Sequence, residues 1–111
     1  MLARCRGLPG VSEGFPFSDT ALVFKVGGKM FALVDLGAGR GSVSLKCDPG
    51  YAVSLREQYS SVTAGYHLNK RHWNTVDLDG AVPDEALAEW VQDSYDLAVA
   101  GLTRAQRAEL G

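Results

Sequence analysis

A pair of glycines between two apolar segments is the feature that most restricts how this chain can fold. Ala21–Val26 and Lys29–Leu36 are rich in β-branched and aromatic residues, and Gly27-Gly28 between them can supply the positive φ angles of a two-residue hairpin turn. The second segment is apolar on both alternating faces, with Phe31 and Leu33 on one of them. It is therefore predicted to be a central strand, or one that is covered on both sides.

The next segments predict a third strand that leads into a helix. Ser42–Cys47 alternates strictly between polar and apolar residues, which places Ser42, Ser44 and Lys46 in a polar outer row and Cys47 on the core side. Asp48 is a favourable N-cap, and Pro49 stands at the preferred first position of a helix.

Helix and strand signals in the rest of the chain complete a two-layer arrangement. His72–Leu78 predicts a strand, acidic residues after Pro83 open a long helix that ends at Gly101, and residues 103–106 have the spacing of a capping box. A short helix is predicted over residues 1–8. The predicted order is α-β-β-β-α-β-α-α, an α+β fold with an antiparallel β-sheet and helices on one face. Residues 1–111 are expected to form a single domain.

Charge is unevenly distributed along the chain. The formal net charge is −2, which argues against binding nucleic acid by bulk electrostatics. Residues 21–80, however, contain seven basic against five acidic residues, whereas residues 81–111 contain two against six. The acidic segment either masks a basic face or forms a solvated surface.

Sequence signals for a membrane span, secretion, a cofactor and catalysis are weak. No apolar run approaches the roughly 20 residues of a membrane span, and no secretory signal is visible. Two lone cysteines then favour a reducing, cytoplasmic setting. The glycine-rich segment 37–41 enters a strand and lacks the lysine of a phosphate-binding loop, so a hairpin connection is favoured over a nucleotide site. No metal or cofactor is expected, because His67 and His72 fall on opposite faces of a strand and no third ligand has suitable spacing.

Cys47 and the paired aspartates do not make a convincing catalytic group. Cys47 precedes a helix start, which would lower its pKa, but it falls on the apolar side of its strand, and a buried inert thiol is favoured. Asp77 and Asp79 share a face beside a turn and are expected to be solvated. The protein is therefore predicted not to be an enzyme.

The segment from Tyr66 to Thr75 carries the most suggestive chemistry. It interleaves two bases, two histidines, two aromatic residues and two amides within ten positions. Bases neutralise phosphates, aromatic rings stack on nucleobases, and amides pair with base edges. The alternative is that Tyr66 and Trp73 are core residues and the remainder is a solvated turn.

Several stretches together resemble the MmcQ/YjbR family of small bacterial proteins. They are, in chain order, Leu8-Pro9-Gly10-Val11-x-Glu13, Pro16-Phe17, the segment 24–32, Ser44-Leu45-Lys46-Cys47-Asp48-Pro49, the segment 65–76 and Ser94-Tyr95. The resemblance implies an α+β domain related to the frataxin-like CyaY shape. It also implies DNA binding through two β-hairpin wings, and family members usually begin with a longer first helix than this chain has.

Two classes of function follow. In the first, a DNA-binding module uses the Gly27-Gly28 hairpin, the 37–41 loop and the basic and aromatic segment. Its expected contact residues are Lys25, Lys29, Arg40, Lys46, His67, Asn69, Lys70, Arg71, His72 and Asn74. In the second, a module for a small aromatic ligand, a drug or a protein partner stacks its ligand on Phe17, Tyr66 and Trp73. No membrane role is expected, and the protein is expected to be a monomer or a weak dimer.

Overall fold

A six-stranded antiparallel sheet with helices on one side forms the molecule. The computed structural model describes residues 1–37, 41–65 and 68–110. Its strands are β1 (Val11–Gly14), β2 (Ala21–Val26), β3 (Lys29–Asp35), β4 (Ser42–Lys46), β5 (Val62–Ala64) and β6 (Trp73–Asp77). Its helices are α1 (Leu2–Arg6), α2 (Pro49–Gln58), α3 (Asp84–Ala100) and α4 (Arg104–Ala108).

The strands follow the chain across most of the sheet and then reverse. The order is β1-β2-β3-β4-β6-β5, so β6 lies between β4 and β5, and β5 forms the edge. Every neighbouring pair is antiparallel. β3 is central, as its two-sided apolar pattern predicts. The predicted α+β class with helices on one face is confirmed.

Helices α1, α2 and α3 cover the sheet face that carries the main core. Leu22, Phe24 and Val34 on that face are buried together with Trp90 and Val91 of α3. Fully burying one large apolar side chain contributes about 1.5–3 kcal/mol to the free energy of folding. The opposite face, which we call the helix-free face, carries the alternate residues of the same strands.

The predicted turn and caps form as the sequence indicates. Gly27 and Gly28 both adopt positive φ, 56° and 82°, in the turn between β2 and β3. The side chain of Asp48 accepts a hydrogen bond from the main-chain N–H of Tyr51 at the start of α2. Thr103 and Gln106 form the predicted capping box of α4.

The structure departs from the sequence prediction at two short strands and one bulge. β1 and β5 have four and three residues and lie at the sheet edges, where the sequence indicated turns and loops. A register shift between β2 and β3 leaves Phe31 outside the regular pairing. Phe31 consequently packs on the helix side against Phe24 and Tyr95, not on the face opposite Ala32 as alternation predicts.

A serine of α3 completes the hydrogen bonding between the two central strands. The regular β3–β4 pairing stops at Ala32 and Leu45. Just beyond it, Oγ of Ser94 accepts from the main-chain N–H of Lys46 (2.8 Å) and donates to the carbonyl oxygen of Phe31 (2.6 Å). Ser94 is fully buried, so this hydroxyl attaches α3 to both strands.

No helix within the described residues is both long enough and apolar enough to cross a membrane.

Candidate nucleic-acid interface

Basic side chains gather at one end of the helix-free face. Lys25 pairs with Met30, and Lys46 pairs with Trp73, all on the face opposite the core. β2 and β4 are separated only by β3, which puts Lys25 and Lys46 about 10 Å apart across the sheet. The other end of the same face carries Asp35 and Asp77 in place of bases.

The connection between β5 and β6 adds two exposed bases at the basic end. Oδ1 of Asn69 accepts hydrogen bonds from the main-chain N–H groups of Arg71 and His72, which fixes the turn. Lys70 and Arg71 are exposed, while His72 is half-buried. Because the main-chain N–H of Cys47 donates to the carbonyl oxygen of His72, this turn lies directly beside the end of β4. We call Lys25, Lys46, Lys70 and Arg71 the basic end.

Arg56 is a neighbouring base that sequence analysis did not select. Its guanidinium donates hydrogen bonds to the carbonyl oxygens of Ala52 and Lys70, so it braces the β5–β6 turn from α2. Its position one helical turn after Ala52, a small apolar residue suited to the buried face of α2, is the signal that could have indicated this orientation.

Two residues predicted to contact nucleic acid prove to be elsewhere. Asn74 is only 3% exposed and faces the helix side, where its Nδ2 donates to the carbonyl oxygen of Ala52. Lys29 lies on the helix side as well, with its Cε close to Gly101 at the end of α3. α3 has no base in its own last turn, and Lys29 supplies the positive charge that a helix C-terminus favours.

Phe17 and Trp73, two stacking residues of the alternative small-molecule site, lie far apart, since one follows β1 and the other begins β6 four strands away. Trp73 lies on the helix-free face as the partner of Lys46 and is only 9% exposed, so it is neither part of the main core nor an open stacking platform. Phe17 is 70% exposed and Phe15 is 51% exposed, on the loop after β1. Of the remaining predicted residues, Arg40, Tyr66 and His67 lie outside the described residues.

Gly37 and Gly41, which flank the second connection proposed as a wing, lie at the end of β3 opposite the Gly27-Gly28 turn. The Gly27-Gly28 turn precedes β3, and the 37–41 connection follows it. β3 has seven residues, so about 23 Å of strand separates them. Both connections could touch one duplex only if it lay along β3 for about seven base pairs.

The acidic C-terminal segment lies on the other side of the molecule. α3 packs its buried stripe, which includes Leu87, Trp90 and Ala98, against the helix side of the sheet. Its exposed acidic residues Glu89, Asp93 and Asp96 therefore point away from the helix-free face. The acidic segment thus does not cover Lys25 or Lys46. The uneven charge along the sequence places acidic residues on the helix side of the sheet and basic residues on the helix-free face.

A bowl with an aromatic rim adjoins the basic end. It has a volume of about 410 Å³ and lies beside β1 and β2. Its lining residues are Ser12, Glu13, Gly14, Phe15, Pro16, Val23 and Lys25. An exposed aromatic ring beside a lysine is an arrangement on which a nucleobase stacks.

Both cysteine thiols are shielded. Cys5 and Cys47 are free and buried, as the sequence predicts for Cys47. The pKa of each thiol is raised to about 11, mainly by burial, and for Cys47 the negative charges of Asp48 and Asp93 also contribute. For Cys47, burial and these charges together raise the pKa by more than the start of α2 would lower it.

Both thiols are expected to resist alkylation. At pH 8 a thiol with a pKa of about 11 is roughly 0.1% ionised, against about a quarter for a free cysteine, so reaction with iodoacetamide should be about 200-fold slower. The rate should rise about tenfold per pH unit until the pH approaches 11. Mass spectrometry of the native protein, with the urea-unfolded protein as control, measures both rates. A plateau near pH 8 in the native protein would contradict the shielding.

Comparison with known proteins identifies the lineage. A sequence model of the YjbR family matches residues 6–97. The chain belongs to the YjbR family. It is 40% identical over 99 residues to the uncharacterized protein YjbR of Escherichia coli K12, covering 89% of this chain and 84% of the relative. It is 36% identical over 97 residues to the uncharacterized protein YbdF of Escherichia coli O157:H7, covering 87% and 80%.

Solved structures of similar proteins share the YjbR fold. The crystal structure of Deinococcus radiodurans DR2400, a DUF419 domain, superposes with a TM-score of 0.92 at 47% identity, over 98% of this chain and 83% of that one. A Pseudomonas syringae protein gives a TM-score of 0.69 at 25% identity, over 79% and 86%. The resemblance inferred from sequence motifs is thereby confirmed at the level of family and fold.

Several residues that mark the YjbR resemblance have structural explanations in this chain. Asp48 caps α2, Asn69 fixes a turn, and Ser94 joins two strands to α3. The hydroxyl of Tyr95 donates to the carbonyl oxygen of Pro9. Within the described part of the chain, the Lys70 side chain makes one hydrogen bond, from Nζ to the carbonyl oxygen of Gly65, and the Arg71 side chain makes none, so neither has a comparable structural role.

Proposed function

We propose that the protein binds DNA, without catalysing a reaction on it, through the basic end of the helix-free face. The observation that supports this most is the separation of charge. Lys25 and Lys46 lie at one end of the helix-free face, and the turn that carries Lys70 and Arg71 lies beside the end of β4, while the exposed acids of α3 lie on the helix side. A local basic surface of this kind attracts phosphates even when the whole chain has a net charge of −2.

The proposed contacts are to the sugar–phosphate backbone. Lysine and arginine side chains on strand ends and a turn suit phosphate oxygens, which position a protein without specifying sequence. Asn74, the amide best suited to pair with adenine, is buried on the helix side and cannot add base recognition. The proposed binding is therefore weakly dependent on sequence. It belongs in the cytoplasm, where the two free cysteines would remain reduced.

The salt dependence of binding tests the proposal. With about four phosphates neutralised, the affinity for a fluorescein-labelled 20-base-pair duplex should fall about 100-fold between 50 and 200 mM salt. Replacing Lys70 and Arg71 by alanine should weaken binding at low salt and reduce that fall to about tenfold. Fluorescence anisotropy measures both, and a single strand of the same sequence shows whether unpaired bases at the Phe15 rim add affinity.

A matched pair of arginines provides the control. Arg104 and Arg107 are exposed on α4, outside the basic end, and replacing both by alanine removes the same charge. Binding by the basic end predicts that this variant keeps most of its affinity and its steep salt dependence. Equal losses in the two double variants, or a Kd weaker than about 100 μM for the unmodified protein at 50 mM salt, would rule the proposal out.

A further inference from the structure

An unsatisfied acceptor is buried between the sheet and the helices. The side chain of Asn74 is 97% buried, and its Nδ2 donates to the carbonyl oxygen of Ala52 at 3.1 Å. Its Oδ1 accepts no hydrogen bond in the described part of the chain. Leaving such an acceptor unpaired costs about 1–3 kcal/mol, so a donor at this atom would be bound favourably.

That residue borders a small internal cavity. The cavity has a volume of about 20 Å³, which accommodates one water-sized group. Its walls are mostly apolar, and include Leu55, Val76 and Trp90 together with Cys47, Asn74 and Asp93. Lys46 borders it as well, but alternation along β4 sends the Lys46 side chain to the helix-free face.

An open acidic cleft lies immediately outside the cavity. It has a volume of about 330 Å³ and shares Cys47, Tyr51 and Asp93 with the inner cavity, so the two adjoin. Asp48 and Asp96 line its outer part. Together the cleft and the cavity form a site with negative charge at its mouth and a hydrogen-bond acceptor at its base.

The carboxylates of the cleft favour an organic cation. Asp48 accepts from the N–H of Tyr51, and Asp96 accepts from the side chain of Gln92, whereas the carboxylate of Asp93 forms no hydrogen bond or ion pair with the described residues. No set of three or more His, Cys, Asp or Glu residues in the described ranges is placed to hold a metal ion. An ammonium group on a short apolar chain suits the cleft, because its three N–H donors can bond carboxylates singly and its chain can contact the apolar walls.

We propose that the cleft between α2 and α3 binds a small alkylammonium compound whose far end carries a hydrogen-bond donor. The ammonium group lies among Asp48, Asp93 and Asp96, and the donor enters the inner cavity to reach Oδ1 of Asn74. This site is on the helix side of the sheet, so it is separate from the proposed DNA surface. Failure of either proposal leaves the other intact.

Aminobutanol is a probe that carries both groups, and two relatives each lack one of them. Butylamine lacks the hydroxyl donor, and butanol lacks the cation. In ¹H–¹⁵N spectra of the full chain, aminobutanol should shift the Asn74 side-chain amide and the Trp90 indole N–H saturably. Butylamine should bind about tenfold more weakly, the effect of one hydrogen bond worth about 1.4 kcal/mol, and butanol should bind more weakly still.

Two variants separate the charge from the acceptor. Asp93→Asn changes an exposed side chain that forms no hydrogen bond with the described residues, so the variant should fold normally and bind aminobutanol about threefold more weakly. Asn74→Leu should abolish the preference for aminobutanol over butylamine, provided that its amide spectrum remains folded. Equal binding of butanol and aminobutanol, or no saturable shift up to about 50 mM because the cavity holds only a resident water, would overturn the proposal.

Discussion

Replacing Ser94 with alanine is expected to lower the free energy of unfolding by about 2–4 kcal/mol. The substitution removes one acceptor and one donor at once, because Oγ of Ser94 bonds both the N–H of Lys46 and the carbonyl of Phe31. Both main-chain groups would be left buried without a partner, at about 1–3 kcal/mol each, partly relieved by local movement. Urea denaturation should show the midpoint falling by about 1–2 M without a change in slope.

Hydrogen exchange separates this mechanism from a general loss of packing. The amide of Lys46 should lose most of its protection in Ser94→Ala beyond the loss shared by its neighbours, since Ser94 is its acceptor. Ser54→Ala on the exposed side of α2 is the control and should change stability by less than about 0.5 kcal/mol. If both variants were equally stable, the bridging role of Ser94 would be wrong.

The second large effect is expected at Gly41, where alanine should cost about 2–4 kcal/mol. Gly41 has a φ of 86°, and a Cβ built there would lie 2.7 Å from the carbonyl oxygen of Asp35. The left-handed conformation alone costs an L-residue about 1–2 kcal/mol, and a clash with main chain cannot be relieved by rotating a side chain. The start of β4 must then move, which would weaken the bond from the N–H of Leu78 to the carbonyl of Gly41.

Gly80 provides a matched comparison for Gly41. It has nearly the same φ, 85°, but a Cβ there would meet no atom within 4 Å. Gly80→Ala should therefore cost only about 1–2 kcal/mol, the conformational part alone. The difference between the two unfolding free energies measures the clash. Equal losses would show that the β3–β4 connection moves freely enough to absorb the added carbon.

The sequence predicted most of the fold because local signals and tertiary structure agree in those segments. The Gly27-Gly28 turn, the Asp48 cap and the Thr103 capping box each depend on residues within a few positions of one another. β1 and β5 were not predicted, because strands of four and three residues carry too few alternations to distinguish them from loops. They form because neighbouring strands offer free edges, which is a property of the assembled sheet.

The face reached by each candidate residue was harder to predict than the elements themselves. Lys70 and Arg71 are exposed as the sequence analysis expects, because the turn that holds them is fixed locally by Asn69. Asn74 was assigned to the wrong side, although its spacing of two from the core residue Val76 was an available signal. Lys29 was misplaced because the register shift between β2 and β3 reverses the alternation before Ala32 and pairs Lys29 with the core residue Val26.

The reversal at the end of the strand order has a consequence for how the sheet is assembled during synthesis. β1 to β4 can pair in the order in which they leave the ribosome, but β5 emerges before β6, the strand that it needs as a neighbour. β5 therefore has to wait until residue 77 has been made before it can join the sheet. From the time β4 leaves the ribosome until β6 follows it, one edge of β4 is unpaired and open to pairing with another chain.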